Sequence, residues 1–282
     1  MEFKNLEGVG FEVLFRGFER AFFDYEIRFE KEEVRSMLRR RGYNPRFSFA
    51  AFDNDEIVAF TLNGTGMFNG IPTAYDTGTG TVREYRGRGF AGKVFNYSLP
   101  YLKESGIGQY LLEVLQNNGN AIAVYRRMNF EITREFGCFR QTIANLRCRK
   151  SVLADCIIEP VGIDFVRKSQ FFCDFRPSWQ NCIASIERGE AGLIFLGARI
   201  GNMPAGYCVC DPYTGDLAQI AVKKEFRRRG IASRLLDEAV KRPNTDFLKI
   251  INVDADCRSL SAFLESLNIP LASKQFEMMR PL

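Results

Sequence analysis

Residues Thr77 to Lys103 run T-G-T-G-T-V, then R-E-Y-R-G-R-G-F-A-G, then K-V-F-N-Y-S-L-P-Y-L-K. The first piece is small and β-branched and predicts a strand. The middle piece is a basic, glycine-rich turn. In the last piece Phe90, Val94, Phe95 and Leu99 recur near helical spacing, so a helix begins inside the turn. A glycine turn that opens a helix presents unsatisfied backbone N–H groups at the positive end of the helix dipole. That is an anion site, and phosphate is the usual anion.

The device recurs. Asp216 to Val222 (D-L-A-Q-I-A-V) predicts a strand, K-K-E-F-R-R-R-G-I-A-S a turn, and R-L-L-D-E-A-V a helix. Arg86-x-x-Gly89-x-Ala91 and Arg227-x-x-Gly230-x-Ala232 match position for position, 141 residues apart. One such turn is a weak signal, whereas two, each between a strand and a helix, describe a duplicated domain. The period is far too long for a solenoid.

Around the first turn, Phe11, Leu14, Phe15, Phe18 and Phe22 predict an amphipathic helix. A second follows from Lys31 and stops at Gly42. Arg46 to Phe52 and Ile57 to Asn63 predict a hairpin, followed by a glycine-rich loop from Gly64 to Gly70 that is read as part of an acceptor pocket. Gln109 to Leu115 predicts a strand, Asn120 to Met128 a helix, and Phe130 to Phe136 and Cys138 to Ile143 two further strands. The second half predicts a helix capped by Ser178 with Trp179, Cys182, Ile183 and Ile186 on it, and a hairpin from Leu193 to Cys210. After the second turn come a strand Leu248 to Val253, a helix Ser259 to Ser266 and a strand Gln275 to Arg280. The polar stretch Arg147-Cys148-Arg149-Lys150-Ser151 sets the expected boundary, giving domains 1–150 and 151–282. The expected class is α/β (α+β), each domain a mixed, mostly antiparallel sheet flanked by helices.

The chain of 282 residues is 46% hydrophobic and 26% charged, the balance of a globular protein with room for a core in each half. A net charge of +5 is too small for a nucleic-acid module. The start of the sequence has no apolar signal core, and the apolar run Ala191 to Ala198 is too short to span a bilayer. The expectation is a cytoplasmic protein with no membrane or nucleic-acid partner. Eight cysteines without a CxxC pair then predict free thiols. Histidine is absent, which excludes His-based triads and His-ligated metals, and no metal is expected.

Three phosphate sites compete for the turn. Gly87-x-x-x-x-Gly92-Lys93 opens like a P-loop, but Val94 stands where a hydroxyl must hold magnesium. Gly78-x-Gly80 lacks the third glycine of a dinucleotide fingerprint, because position 83 is Arg. The third pattern fits. Both halves resemble the GNAT superfamily of acyl-CoA-dependent N-acetyltransferases, whose loop Q/R-x-x-G-x-G/A stands here as Arg86 to Ala91 and Arg227 to Ala232. The superfamily's second motif, N-x-x-A-x-x-x-Y-x-x-x-G-F, stands as Asn118 to Phe130, with Asn129 in place of the glycine. In the second half Cys257, Leu260, Leu264, Asn268 and Ile269 occupy the motif's Asn, Ala, Tyr, Gly and Phe positions.

The resemblance implies attack of a primary amine, on a small molecule or a peptide, upon acetyl-CoA as co-substrate. It implies cofactor contacts from Val82, Arg83, Arg86, Gly87, Arg88, Gly89, Phe90, Ala91, Gly92, Asn118 and Tyr125. In the second half it implies Val222, Arg227, Arg228, Arg229, Gly230, Ile231, Ala232 and Ser233. Tyr125 matches the family's acid, and Glu113, Asp76 and Asp216 are the candidate bases. Loss of the tyrosine at Leu264 points to turnover in the first half. Catalysis in the second half, or an acyl-CoA sensor or scaffold without turnover, remain the alternatives. The acceptor and the oligomeric state are not encoded in any motif.

Overall fold

The computed structural model of the chain describes residues 1–24, 30–147, 155–241 and 244–282. The boundary expected at residue 150 lies outside the described residues. The first half of the sequence forms β1 (Glu2–Asn5), α1 (Phe11–Ala21), α2 (Lys31–Arg41), β2 (Phe49–Asp53), β3 (Glu56–Phe68), β4 (Ile71–Thr81), α3 (Phe90–Glu104), β5 (Gln109–Leu115), α4 (Gly119–Arg127) and β6 (Glu131–Thr142). The second half forms β7 (Cys156–Pro160), α5 (Ile163–Ser169), α6 (Ile183–Arg188), β8 (Ile194–Ile200), β9 (Met203–Asp211), β10 (Asp216–Val222), α7 (Ile231–Ala239), β11 (Phe247–Asp254), α8 (Arg258–Ser266) and β12 (Leu271–Pro281). The architecture is the mixed, mostly antiparallel sheet flanked by helices that the sequence predicts.

The chain divides into two compact units that trade segments. One comprises residues 1–114, 118–133 and 277–282, and the other 115–117 and 134–276. Most of β6 therefore belongs to the second unit, and the end of β12 belongs to the first.

In the first unit β1, β2, β3 and β4 are successive antiparallel neighbours. β4 then pairs with β5 in parallel over only Thr73–Tyr75 against Gln109–Leu111. The ladder stops there because β4 carries a bulge. Asn63 faces Asp76 and Leu62 faces Gly78, so Thr77 is the extra residue. A bulge turns the strand and frees the next side chains from the ladder. The phenylalanine stripe of α1 packs with Val34 and Leu38 of α2 on one face, over Phe60 and Leu62. Burying a side chain such as Phe18 is worth about 1.5–3 kcal/mol. On the other face Phe49, Ala51 and Val58 pack against Val94 of α3.

In the second unit β7, β8, β9 and β10 run antiparallel, β10 pairs in parallel with β11 at Asp216 and Lys249, and β11 pairs antiparallel with β6. β10 has a bulge too. Leu217 faces Cys210 and Gln219 faces Val209, which leaves Ala218 over. The two bulges, at Thr77 and Ala218, stand 141 residues apart, the spacing of the glycine turns.

Three expectations change. The loop expected at Gly64 to Gly70 is mostly strand, since β3 continues to Phe68 and turns on Asn69 and Gly70, both at positive φ. Gly64 allows this because a Cβ there would collide with the Arg41 carbonyl, where Thr65 N–H bonds the Gly42 carbonyl at the end of α2. The helix expected from Ser178 breaks at Cys182, which is extended, into a short 3-10 turn and α6. Ser178 caps neither, because its hydroxyl accepts from Asn252. The two strands expected between Phe130 and Ile143 are one strand, β6, unbroken through Gly137.

Candidate active site

The first glycine turn links β4 to α3. Gly87 and Gly89 both have φ +75°, a left-handed backbone that favours glycine, and a Cβ at either would meet nothing within 4 Å. The space over the turn is open. Gly89 is the N-cap of α3, no side chain caps the helix, and the first intrahelical bond runs from Lys93 N–H to the Gly89 carbonyl. The N–H groups of Phe90, Ala91 and Gly92 are thus the donors aimed outward. This geometry fits a phosphate or pyrophosphate group.

The second turn repeats it at the start of α7. Arg228 has φ +63° where Gly87 stands, Gly230 has φ +83°, and Arg234 N–H bonds the Gly230 carbonyl at 3.0 Å. The donors there belong to Ile231, Ala232 and Ser233. A left-handed Arg228 is more strained than a glycine.

Arg86 and Arg227 are clamps. Arg86 Nε donates to the Thr81 carbonyl at 3.0 Å, Nη1 and Nη2 grip Asp24 at 2.5 and 2.7 Å, and Nη2 also reaches the Ala21 carbonyl. Arg227 reaches matching partners: Nε donates to the Val222 carbonyl at 2.9 Å, Nη1 to both Asp174 oxygens at 2.9 and 2.8 Å, and Nη2 to the Phe172 carbonyl at 3.0 Å. Each planar fork ties the turn to the segment after the unit's first helix. The Arg86 guanidinium holds the Asp24 carboxyl down at about 2. Asp174 also accepts from Ser259 at the start of α8, a bond at 2.6 Å.

The neighbours fall in matching places. The Arg88 guanidinium lies 5.5 Å over Tyr85, and Arg229 lies 5.7 Å over Phe226. Arg83 is exposed beside Asp24, Phe90 meets Tyr85 edge-on at 6.0 Å, and Val82 and Val222 have buried side chains at the strand ends. Asn118 is the N-cap of α4, its Oδ1 accepting from Ala121 N–H at 3.1 Å. Asn129 ends that helix at φ +61°, the left-handed position that the motif gives to glycine, and Asn268 ends α8 in the same way at φ +63°.

The bulge in β4 brings two of the candidate catalytic side chains together. Tyr125 Oη donates to Asp76 Oδ2 at 3.2 Å. Asp76 also accepts from Gly78 N–H at 2.9 Å and from the Thr79 hydroxyl at 2.7 Å. Burial nevertheless raises its carboxyl to about 6, since desolvation outweighs those three bonds. Burial and the nearby Asp76 charge push the Tyr125 phenol well above its ordinary range, so it keeps its proton at neutral pH. Glu113 accepts from Tyr75 Oη, and Arg41 Nη1 donates to the Thr77 carbonyl at 2.8 Å. Arg41 thereby sets a positive charge beside the bulge, and that charge opposes the rise at Asp76.

Asp216 lies in the other unit, buried at the start of β10 opposite Asp211 and Lys249. Aligning the two bulges makes Asp216 the counterpart of Tyr75. The counterpart of Asp76 is Leu217, and that of Tyr125 is Leu264. The sequence pattern passes over Thr79, Tyr75, Asp24 and Asp174. The two clamp aspartates escape it because they precede their arginines by 62 and 53 residues, unequal spacings that no alignment of the turns reveals.

A sequence profile of the Acetyltransferase (GNAT) family matches residues 13–130 and 164–256. The chain belongs to the GNAT acetyltransferase family. It is similar to N-alpha-acetyltransferase 30 of Schizosaccharomyces pombe, 33% identical over 87 residues, which cover 30% of this chain and 58% of the relative. The chain thus spans a little over half the length of that curated relative. Among solved structures it is similar to a tandem GNAT protein from the clavulanic acid biosynthesis pathway, with a TM-score of 0.75 at 13% identity over 99% of this chain and 98% of the other. A GCN5-related N-acetyltransferase from Sphaerobacter thermophilus gives 0.73 at 11% identity, over 99% and 95%. These two likenesses are of fold. With two matched stretches, the chain is a tandem member of the GNAT family. Among the described residues no helix is long and apolar enough to cross a membrane.

Proposed function

We propose that the chain transfers an acetyl group from acetyl-CoA to a primary amine, and that turnover belongs to the first unit. The observation that carries this reading is the Asp76–Tyr125 pair at the β4 bulge, in the same unit as an open glycine turn. Acetyl-CoA supplies the acetyl group already activated as a thioester. The N–H groups of Phe90, Ala91 and Gly92 hold its pyrophosphate, and the Arg86–Asp24 clamp fixes that turn. Asp76, with a carboxyl near 6, is mostly ionised at pH 7 and takes the proton from the acceptor's ammonium. Tyr125 holds the proton that the leaving sulfur needs.

The second unit has leucines at both positions, so we assign it no proton transfer. Its turn keeps the same donors, and acyl-CoA binding without turnover is the role that they support. We take 1–150 and 151–282 as the duplicated halves, and a cytoplasmic setting fits the seven free cysteines among the described residues.

The test is release of free thiol from acetyl-CoA by the purified chain with a panel of amines. The S. pombe relative is named for α-amine acetylation, so peptides with free α-amines come first, followed by small primary amines. Asp76→Asn and Tyr125→Phe are expected to lose about 10²–10⁴-fold in rate. Full rates in both variants would overturn the assignment.

A further inference from the structure

The last residues of the sequence fold into the first unit. The Leu282 N–H bonds the Gly108 carbonyl, and the Thr133 hydroxyl donates to buried Glu277 at 2.9 Å. Between these contacts, Arg280 Nη1 donates to the carbonyl of Met128 at 2.8 Å. Met128 is the C-cap of α4, and its own N–H bonds the Tyr125 carbonyl at 3.0 Å. The helix is only nine residues long, and Tyr125 sits in its last turn. A guanidinium there meets the negative end of the helix dipole and holds the carbonyl that would otherwise fray.

A second chain of contacts starts from the same side chain. The Arg280 guanidinium lies 5.5 Å over the Phe95 ring. Phe95 stacks on Tyr110 at 5.2 Å and meets Phe130 at 5.6 Å, and Phe130 stands edge-on to Tyr125 at 5.7 Å. Backbone and ring contacts from Arg280 thus converge on Tyr125. In the second unit the corresponding carbonyl, that of Leu267, is held by a backbone group, the Arg147 N–H at 3.0 Å. The side-chain device occurs at the helix that carries the tyrosine.

We propose that Arg280 is a positioning residue, which fixes the last turn of α4 so that the Tyr125 hydroxyl stays on the Asp76 carboxylate. The proposal rests on the reading of the first unit as the catalytic one, but its test does not depend on finding an acceptor. The charged and titratable groups around Asp76 are Arg41, Tyr75, Tyr110 and Tyr125. Of these, Arg280 connects to Tyr125 and Tyr110 through the aromatic contacts above.

The experiment follows the Asp76 carboxyl carbon by NMR titration in the full chain, labelled at aspartate and assigned with Asp76→Asn. The parent carboxyl, raised by burial, is expected to titrate near 6. Tyr125→Phe removes one hydrogen bond to the carboxylate and is expected to raise that midpoint by about half to one pH unit. Arg280→Met keeps the bulk and is expected to raise it in the same direction. Arg280→Lys, which can still donate to Met128, restores most of the parent value, and Arg280→Leu, which cannot donate, serves if the methionine variant fails to fold. In the Tyr125→Phe background Arg280→Met should add nothing.

With an accepted amine, Arg280→Met is expected to lower kcat by about tenfold or more, as misplacement of a reacting group does. KM for acetyl-CoA should stay within about twofold, the mark of a loss felt after binding. A midpoint that Tyr125→Phe moves and Arg280→Met does not would overturn the proposal. So would equal shifts from Arg280→Met in both backgrounds. A shifted midpoint in Tyr125→Phe with undiminished acetyl transfer would instead overturn the catalytic reading alone.

Discussion

Replacing Asp76 by Asn should make the protein more stable at neutral pH while stopping its chemistry. Burial raises the folded carboxyl from 3.8 to about 6, so between those values the folded state holds a proton that the unfolded chain has released. The folded state therefore loses stability as pH rises through this window. The penalty is absent below about 3.8 and complete above about 6. A shift of roughly two units corresponds to about 3 kcal/mol, an upper value because the half-buried carboxyl keeps part of its hydration. Asparagine does not titrate. At pH 4 the folded Asp76 side chain is neutral like asparagine, and the two proteins should unfold close together. At pH 7.5 the variant should be ahead by roughly 2 kcal/mol, which is about 4–8 °C in melting midpoint for a protein built from units of this size. Unfolding by heat and by urea, followed by circular dichroism at pH 4, 5, 6 and 7.5, measures the gap. A gap that stays constant from pH 4 to 7.5 would refute the desolvation argument, whatever the activity does.

The same carboxyl sets the pH dependence of turnover. The acid limb of kcat/KM should fall near pH 6, so that rates at pH 5 are about tenfold below those at pH 7, and a limb near pH 4 would exclude Asp76 as the base. Gly89→Glu places a negative side chain in the open cradle and should abolish acetyl-CoA binding at the first turn by calorimetry, with turnover lost. Gly230→Glu does the same to the second turn and should leave turnover largely intact; a dead Gly230→Glu beside an active Gly89→Glu reverses the assignment of the working unit. Asp24→Asn leaves the Arg86 fork without its charged partner and should raise KM for acetyl-CoA by about tenfold while kcat changes little. Unchanged KM in that variant would mean that the clamp does not shape the turn.

The glycine turns, their strands and their helices were legible because each depends on local chemistry. Glycine at 89 and 230 takes a left-handed backbone that few residues accept, and the helix periodicity begins beside it. The motif Asn118 to Phe130 was legible for the same reason, down to the asparagine cap and the left-handed Asn129. What escaped the sequence depends on distant partners. The bulge at Thr77, which aims Asp76 at Tyr125, is a mismatch between two strands and leaves no mark in either. β3 continues through Gly64 because α2 approaches closely there, although three glycines within seven residues suggested a loop. Ser178 is a good cap that another buried side chain claims. β1, β7 and α5 are short, and their patterns carry too few residues to stand out.

The exchange of segments also sets an order of events during synthesis. Arg280 and Met128 are 152 positions apart, so on the ribosome the helix that bears Tyr125 emerges long before the residue that secures its end. Residues 277–282 must return to a unit most of which has already emerged, and contacts of such long separation form slowly. Until they do, the nascent first unit exposes β5 beside an unfilled place in its sheet, the kind of open edge that pairs with other chains. The unit proposed to do the chemistry is thus completed by residues made after nearly all of the second unit.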